Sequence, residues 1–217
     1  MWHNFIYPVM GYFRQKRGRF LQAVFPDIAK WRICDLGGSR HFWEKVAIEG
    51  LHFSNITIYN ISKNEIQGIH SDYSDDIEIV IYDGHTIPVD DGKFDLLVCN
   101  SVLEHVLPEE RARLVDEMRR VAKRIFLQTP AYSFPLEPHF IMPFVHWLPR
   151  GLGFWLIHIS PWRLLSRSTP EMLADYWWGT QLLTKSEIKS LFPNETIRYE
   201  RVLGMTKSYY VISKNTG

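Results

Sequence analysis

The chain has 217 residues, 46% apolar and 23% charged, which is the balance of one folded α/β-sized domain with a substantial core rather than of two. A formal net charge of +1 gives no global field that would recruit nucleic acid. No run reaches the roughly 20 apolar residues needed to span a bilayer. The longest candidate, residues 140–165, is broken by Pro143, Pro149, Arg150, Pro161 and Arg163.

Residues 1–11 lack the basic start and uninterrupted apolar core of a signal peptide. Cys34 and Cys99 each sit inside an apolar run, so the expectation is two buried free thiols and a cytoplasmic protein. Residues 13–25 mix Arg and Lys with Phe, Leu and Val and read as a basic amphipathic segment, helical toward its end. Within residues 1–30 it is expected to pack on the domain edge, to act as a lid, or to make peripheral contact with a membrane surface through Lys16, Arg17 and Arg19.

Residues 32–36 form a first short buried strand, broken by Gly37-Gly38-Ser39, and a helix follows over residues 42–48. Further strands are expected at 55–59, 78–82, 94–99 and 124–128. The continuous apolar run of residues 94–99 suits a parallel strand covered on both faces. Pro108 is placed at the first position of a helix with Glu109 and Glu110 in its first turn, followed by Leu114, Val115, Met118 and Val121 at helical spacing.

Residues 134–176 are rich in Pro, Trp, Phe and His and follow no single period. They read as a cap, to about residue 180, inserted into a single domain spanning residues 1–217. Thr184 and Glu187 form a capping box. Two closing strands at 195–202 and 207–213, joined by a short turn, pair antiparallel at one edge. Strands alternating with helices imply an otherwise parallel sheet with helices on both faces.

Ligands of such sheets bind at the carboxyl ends of the strands. There the sequence places Asp35, Gly37, Gly38 and Ser39; Asn60; Asp83 and Gly84; and Asn100 and Ser101. Glycines permit a sharp turn and close backbone approach, and Asp35 is a carboxylate set to accept from an ammonium group. Asn60 can bond a hydroxyl but reads equally as a turn residue ending its strand. Asp83 followed by Gly84 suits the edge of an adenine. The turn after Asp35 is not the GxGxxG of nicotinamide enzymes, which makes an oxidoreductase a distant alternative.

The segments ICDLGGS and YDGHTIPVDDGKFDLLVCNSVLEHV together resemble the class I S-adenosylmethionine-dependent methyltransferases, in particular the methyltransferase type 11-like branch, over residues 31–130. The resemblance implies a Rossmann-like seven-stranded sheet with the last strand antiparallel, and S-adenosylmethionine as cofactor. It assigns Asp35, Gly37 and Gly38, with the adjoining Ser39, to the methionine part, Asn60 to ribose, Asp83 and Gly84 to adenine, and Asn100, next to Ser101, to the region of the sulfonium. Asn60 departs from the family's usual acid, and Ser39-Arg40-His41 from its small-residue continuation.

Methyl transfer needs in-line positioning above all, and a general base only when the acceptor must lose a proton. His105 and His139 lie where the fold should open and are the candidate catalytic residues, each with an alternative as a histidine satisfied by nearby backbone. Glu104, His105, Glu137 and His139 could together form a carboxylate/imidazole metal site, but their spacing fits no stringent ligand template, so no metal is expected. Trp147, Trp155 and Trp162 suit either a core or the wall of an acceptor pocket. The reading is a methyltransferase for a small-molecule or glycan-like acceptor, at oxygen before nitrogen. Its rival is a non-catalytic or membrane-peripheral module retaining the fold.

Overall fold

The computed structural model describes residues 3–46, 48–62, 77–166 and 168–213, with side chains in the first helix described at Gly11 and from Gln15 onward. Seven strands form one sheet: β1 (Ile33–Leu36), β2 (Ile56–Asn60), β3 (Glu78–Ile81), β4 (Leu96–Asn100), β5 (Ile125–Pro130), β8 (Thr196–Val202) and β9 (Met205–Ile212). A separate two-stranded ribbon, β6 (Leu136–Glu137) and β7 (Met142–Pro143), lies between β5 and β8 in the chain. The order across the large sheet is β3-β2-β1-β4-β5-β9-β8. All pairs from β3 to β5 are parallel, and β9 alone runs against its neighbours.

The strand sequences explain why both faces are covered. In β4, Leu96 and Val98 join one apolar cluster while Leu97 and Cys99 join the other; β5 repeats this with Phe126 against Ile125 and Leu127. Successive side chains point to opposite faces, so a run with no polar member must be buried twice. One face receives α1 (His3–Val24) and α2 (Arg40–Val46) through Leu21, Phe42, Trp43 and Val46. The other receives α3 (Arg111–Val121) and α7 (Lys185–Leu191) through Leu114, Val115, Met118, Val121 and Ile188. Cys34 and Cys99 are buried and free.

Several boundaries move. The first helix runs from His3, well before the basic segment. The helix expected from Pro108 begins instead at Arg111, because the Glu110 amide bonds the Leu107 carbonyl in a turn of its own. Glu109 and Glu110 therefore precede the first helical turn, and Glu110 lies near Arg113 and His85. The strand expected to close at Thr129-Pro130 continues through both, since β9 pairs with it as far as Ser208. Thr184 and Glu187 form the complete capping box at the start of α7.

Between Ala131 and Leu183 the chain leaves the sheet and returns beside its point of departure: the two residues form a parallel bridge. The intervening segment carries β6 and β7, then α4 (Arg150–Ile157), α5 (Pro161–Ser166) and α6 (Pro170–Gly179). These pack around their own cluster of Phe140, Val145, Ile157, Leu173 and Trp177. Among the described residues no helix is long and apolar enough to cross a membrane.

Candidate functional site

Parallel pairing of β3, β2, β1 and β4 aligns their carboxyl ends along one edge of the sheet. Leu36 sits beside Tyr59 and Cys99, Asn60 beside Ile81, and Asn100 beside Gln128. The sequence-derived residues on these ends are thus gathered along one edge, although Asp83 lies more than 20 positions past Asn60.

The turn after β1 is tight and specific. Gly37 has a φ of +67°, and its amide donates to the Tyr59 carbonyl at 2.7 Å. A Cβ on Gly38 would lie 1.7 Å from Asp35 Oδ2, so this position tolerates no side chain. Asp35 is 1% exposed, and its Oδ2 accepts from Trp43 Nε1 at 2.7 Å. The other oxygen, Oδ1, is buried without a partner. Burial pushes the Asp35 carboxyl up to about 7, the Trp43 hydrogen bond opposing that rise. Ser39 is half-buried and its carbonyl opens α2 by accepting from the Phe42 amide.

Asn60 is buried, and its Oδ1 accepts from the Ile61 amide at 2.8 Å, so its carbonyl serves the turn that ends β2. Asp83 is exposed. Its Oδ1 accepts from the amides of Thr86 and His85, both at 2.8 Å, and these bonds hold its carboxyl below the usual range. Gly84 takes a φ of +81° next to it and lines a 170 Å³ pocket with His85, Val106, Leu107 and Glu110. Ser101 is left-handed at φ 56°. Its amide donates to the Gln128 carbonyl and its hydroxyl to Gln128 Oε1 at 3.0 Å, which places it at the floor between β4 and β5.

One residue at this floor departs from the sequence expectation. Arg17, grouped there with Lys16 and Arg19 as a surface cation, turns inward: its guanidinium donates to Asn100 Oδ1 and bonds the Tyr210 hydroxyl. Its Nε is buried without a partner. The helix can lie this close because Gly18 faces α2, where a Cβ would meet Val46 Cγ1 at 2.6 Å and the Val46 carbonyl oxygen at 2.8 Å. A glycine in the middle of a basic helix was the available signal. Trp43, the partner of Asp35, carried no signal apart from its apolar neighbours.

His105 and His139 come together although 34 positions separate them: their ring centroids are 4.9 Å apart at 82°. His105 belongs to the single 3₁₀ turn Leu103–His105 after β4, and His139 to the loop between β6 and β7. Desolvation, then the neighbouring His139, lowers His105 to about 4; its Nδ1 lies 3.2 Å from the Thr180 hydroxyl. His139 Nδ1 is 2.7 Å from Glu137 Oε1. Burial acts to lower the His139 pKa, but the hydrogen bond and charge of Glu137, with Glu104, hold it above the usual value. Glu137 is itself fixed by the Phe140 amide, which donates to Oε2 at 2.7 Å. Glu104 is fully buried, and burial raises its carboxyl. Thr129 donates to Oε2 at 2.9 Å, while Oε1 has no partner.

A cavity of about 580 Å³ lies next to this pair. Glu137 and Thr180, which hold the two histidines, line it together with Tyr132, Trp147, Arg150 and Trp177. Arg150 lies over the Trp177 ring at 5.0 Å and donates to the Thr180 and Trp177 carbonyls. Of the three tryptophans singled out in the sequence, Trp147 lines this cavity, donating to the Tyr132 carbonyl. Trp162 packs edge-on against Phe140, and Trp155 is 72% exposed.

Residues 36–125 match the family model described as a methyltransferase domain. No curated protein matches the chain. Among solved structures, magnesium protoporphyrin IX methyltransferase (ChlM) from Synechocystis PCC 6803 with bound SAH is similar at 13% identity, over 94% of this chain and 84% of that one, with a TM-score of 0.52. The N-terminal domain of EvdMO1 in the presence of SAH and D-fucose is similar at 17% identity, over 93% and 82%, with a TM-score of 0.52. Human N-acetylserotonin methyltransferase in complex with SAM is similar at 16% identity over 92% of this chain but 52% of its own, with a TM-score of 0.54. At these identities the structural likeness speaks for the fold alone.

Proposed function

We propose that this chain, whose residues 36–125 match a methyltransferase domain, is a class I S-adenosylmethionine-dependent methyltransferase that methylates a small-molecule or glycan-like acceptor, at oxygen in preference to nitrogen. The observation that carries this reading is the meeting of His105 with His139 beside the cavity bordered by Glu137 and Thr180. One histidine follows the central strand β4, and the other comes from the inserted segment, so cofactor side and acceptor side share a boundary.

The residues at the strand ends fit the cofactor. Asp35 Oδ1 is an orphaned buried acceptor suited to an ammonium, and the missing side chain at Gly38 leaves the backbone bare beside it. On this reading Asp35, Gly37, Gly38 and Ser39 hold the methionine part, Asn60 the ribose, Asp83 and Gly84 the adenine, and Asn100 and Ser101 the neighbourhood of the sulfonium. The Asp83 oxygen not engaged by the turn is the one left for an exocyclic amine. Bound S-adenosylmethionine supplies an electrophilic methyl on a sulfonium. The protein's task is to orient the acceptor and manage its proton. His105 and His139 act on the acceptor's hydroxyl: Glu137 fixes the ring of His139, whose raised proton affinity suits it to take the proton. Tyr132, Trp147 and Trp177 form amphipathic walls that suit a sugar or aromatic ring. Two free buried thiols are compatible with a reducing cytoplasm.

The test is calorimetry with S-adenosylmethionine and S-adenosylhomocysteine, followed by a methyl-transfer screen of cell extract with labelled cofactor. His139→Ala should abolish transfer while cofactor affinity stays within about threefold. Wild-type protein binding neither ligand at millimolar concentration would refute the reading. The second reading, a membrane-peripheral module, draws on exposed apolar residues of the inserted segment, Leu152, Trp155, Ile159 and Leu164, each at least half exposed. Flotation with anionic vesicles tests it; absence of binding removes it.

A further inference from the structure

We propose that Glu104, His105 and His139 form a binding site for one divalent transition-metal ion, of the zinc type, at the acceptor side of the domain. Their ligand atoms all lie within 4.8 Å of one another, approaching the spacing of about 3–4 Å between donors that share an ion at about 2.1 Å. Two imidazoles and a carboxylate are a donor set that favours zinc and its neighbours over magnesium or calcium, which take oxygen. Three protein ligands leave coordination positions open, as in catalytic rather than structural sites.

Two independent observations favour a cation at this place. Glu104 is fully buried, and its Oε1 has no hydrogen-bond partner, although Thr129 satisfies Oε2. A buried carboxylate oxygen left bare is costly unless a positive group completes it. The second observation is the support behind His139. Glu137 takes its Nδ1 at 2.7 Å and is in turn fixed by the Phe140 amide, which leaves Nε2 as the nitrogen free for an ion. A carboxylate behind a histidine is the arrangement that orients metal-bound imidazoles and raises their basicity. Sequence spacing gave no template for this set because Glu137 is not a ligand but the residue behind one, and His139 arrives from the inserted segment.

The site deepens the proposed function, on which its catalytic use rests. With an ion seated, both nitrogens of His139 are engaged, so the ion would take over its role toward the proton: a hydroxyl bound at an open position would give up its proton to solvent at lower pH than a free one. Ion binding itself does not depend on that use.

Metal-stripped full-length protein is titrated with Zn²⁺ by calorimetry and with Co²⁺ by visible absorption, with S-adenosylhomocysteine binding measured in parallel. One ion per chain is expected, with the d–d spectrum of nitrogen-ligated cobalt. Glu104→Gln and His139→Ala should each weaken Zn²⁺ at least tenfold, and Glu137→Gln about 10- to 100-fold. His85→Ala, in an exposed pair with Glu110, should leave Zn²⁺ affinity unchanged. Zn²⁺ binding weaker than about millimolar, or affinity unchanged in His139→Ala, overturns the site. Should His139→Ala fail to fold, the wild-type cobalt spectrum decides, and the spectrum of hexaaqua cobalt overturns the proposal. A wild type that binds Zn²⁺ but no S-adenosylhomocysteine upholds the ion site while refuting the cofactor assignment.

Discussion

Replacing Asp35 by Asn separates the stability role of this carboxylate from its role toward a ligand. Asp35 is 1% exposed, and burial pushes its carboxyl up to about 7, about three units above an ordinary aspartate. The sign is opposite to that of a salt-bridged acid. Between pH 4 and 7 the unfolded chain has lost this proton and the folded chain has kept it, so stability falls as pH rises through that window. The loss is complete once pH exceeds the folded value, and it amounts to about 4 kcal/mol at pH 8 but only about 2 kcal/mol at pH 5. Asn removes the titration and still offers Trp43 Nε1 an acceptor. Whatever constant penalty its amide incurs, the stability of Asp35→Asn relative to wild type should improve by roughly 2–3 kcal/mol between pH 5 and pH 8, or roughly 5–10 °C in melting temperature for a chain of this size. Thermal unfolding of both proteins at the two pH values measures it. The same variant should weaken S-adenosylhomocysteine binding at pH 8, because the amide cannot match a carboxylate toward an ammonium. A stability difference between the two proteins that does not change with pH would refute the buried-carboxyl reasoning.

Three further outcomes are expected. Asp83→Ala should lower S-adenosylhomocysteine affinity about tenfold by calorimetry with little change in melting temperature, since the residue is exposed and serves only the turn through His85 and Thr86. Gly38→Ala should abolish cofactor binding and cost several kcal/mol in denaturant unfolding, because its Cβ would overlap the Asp35 carboxylate, whose position Trp43 and the sheet fix. Arg111→Ala should destabilise the protein by about 3 kcal/mol in the same assay. Its buried guanidinium donates to the Val106 and Gln181 carbonyls and pairs with Glu187, tying the turn after β4 to the segment before α7.

The sheet was largely legible because β1, β4 and β5 are short apolar runs, and only burial on two faces explains such runs. The strand-end residues followed from the general rule for parallel sheets, with Asp83-Gly84 and Asn100-Ser101 at the expected ends. What escaped was set by contacts distant in sequence. Pro108 looked like a helix start, but the Leu107–Glu110 turn competes locally and wins. Basic residues at 16, 17 and 19 looked equivalent, yet Gly18 seats the helix against Val46 so that Arg17 alone among them reaches Asn100. His105 and His139 were each visible as candidates. Their contact was not, because no periodicity in the inserted segment encodes where its first loop comes to rest.

The bridge between Ala131 and Leu183 has a consequence for descent as well as for folding. A segment that departs and re-enters at neighbouring points leaves the strand register on either side indifferent to its length. Everything between them, including one of the two histidines and every residue lining the cavity, is carried by one continuous segment, while β1 to β4 and their strand ends lie outside it. In such an architecture, selection can change what is brought to the sheet edge without renegotiating the edge itself.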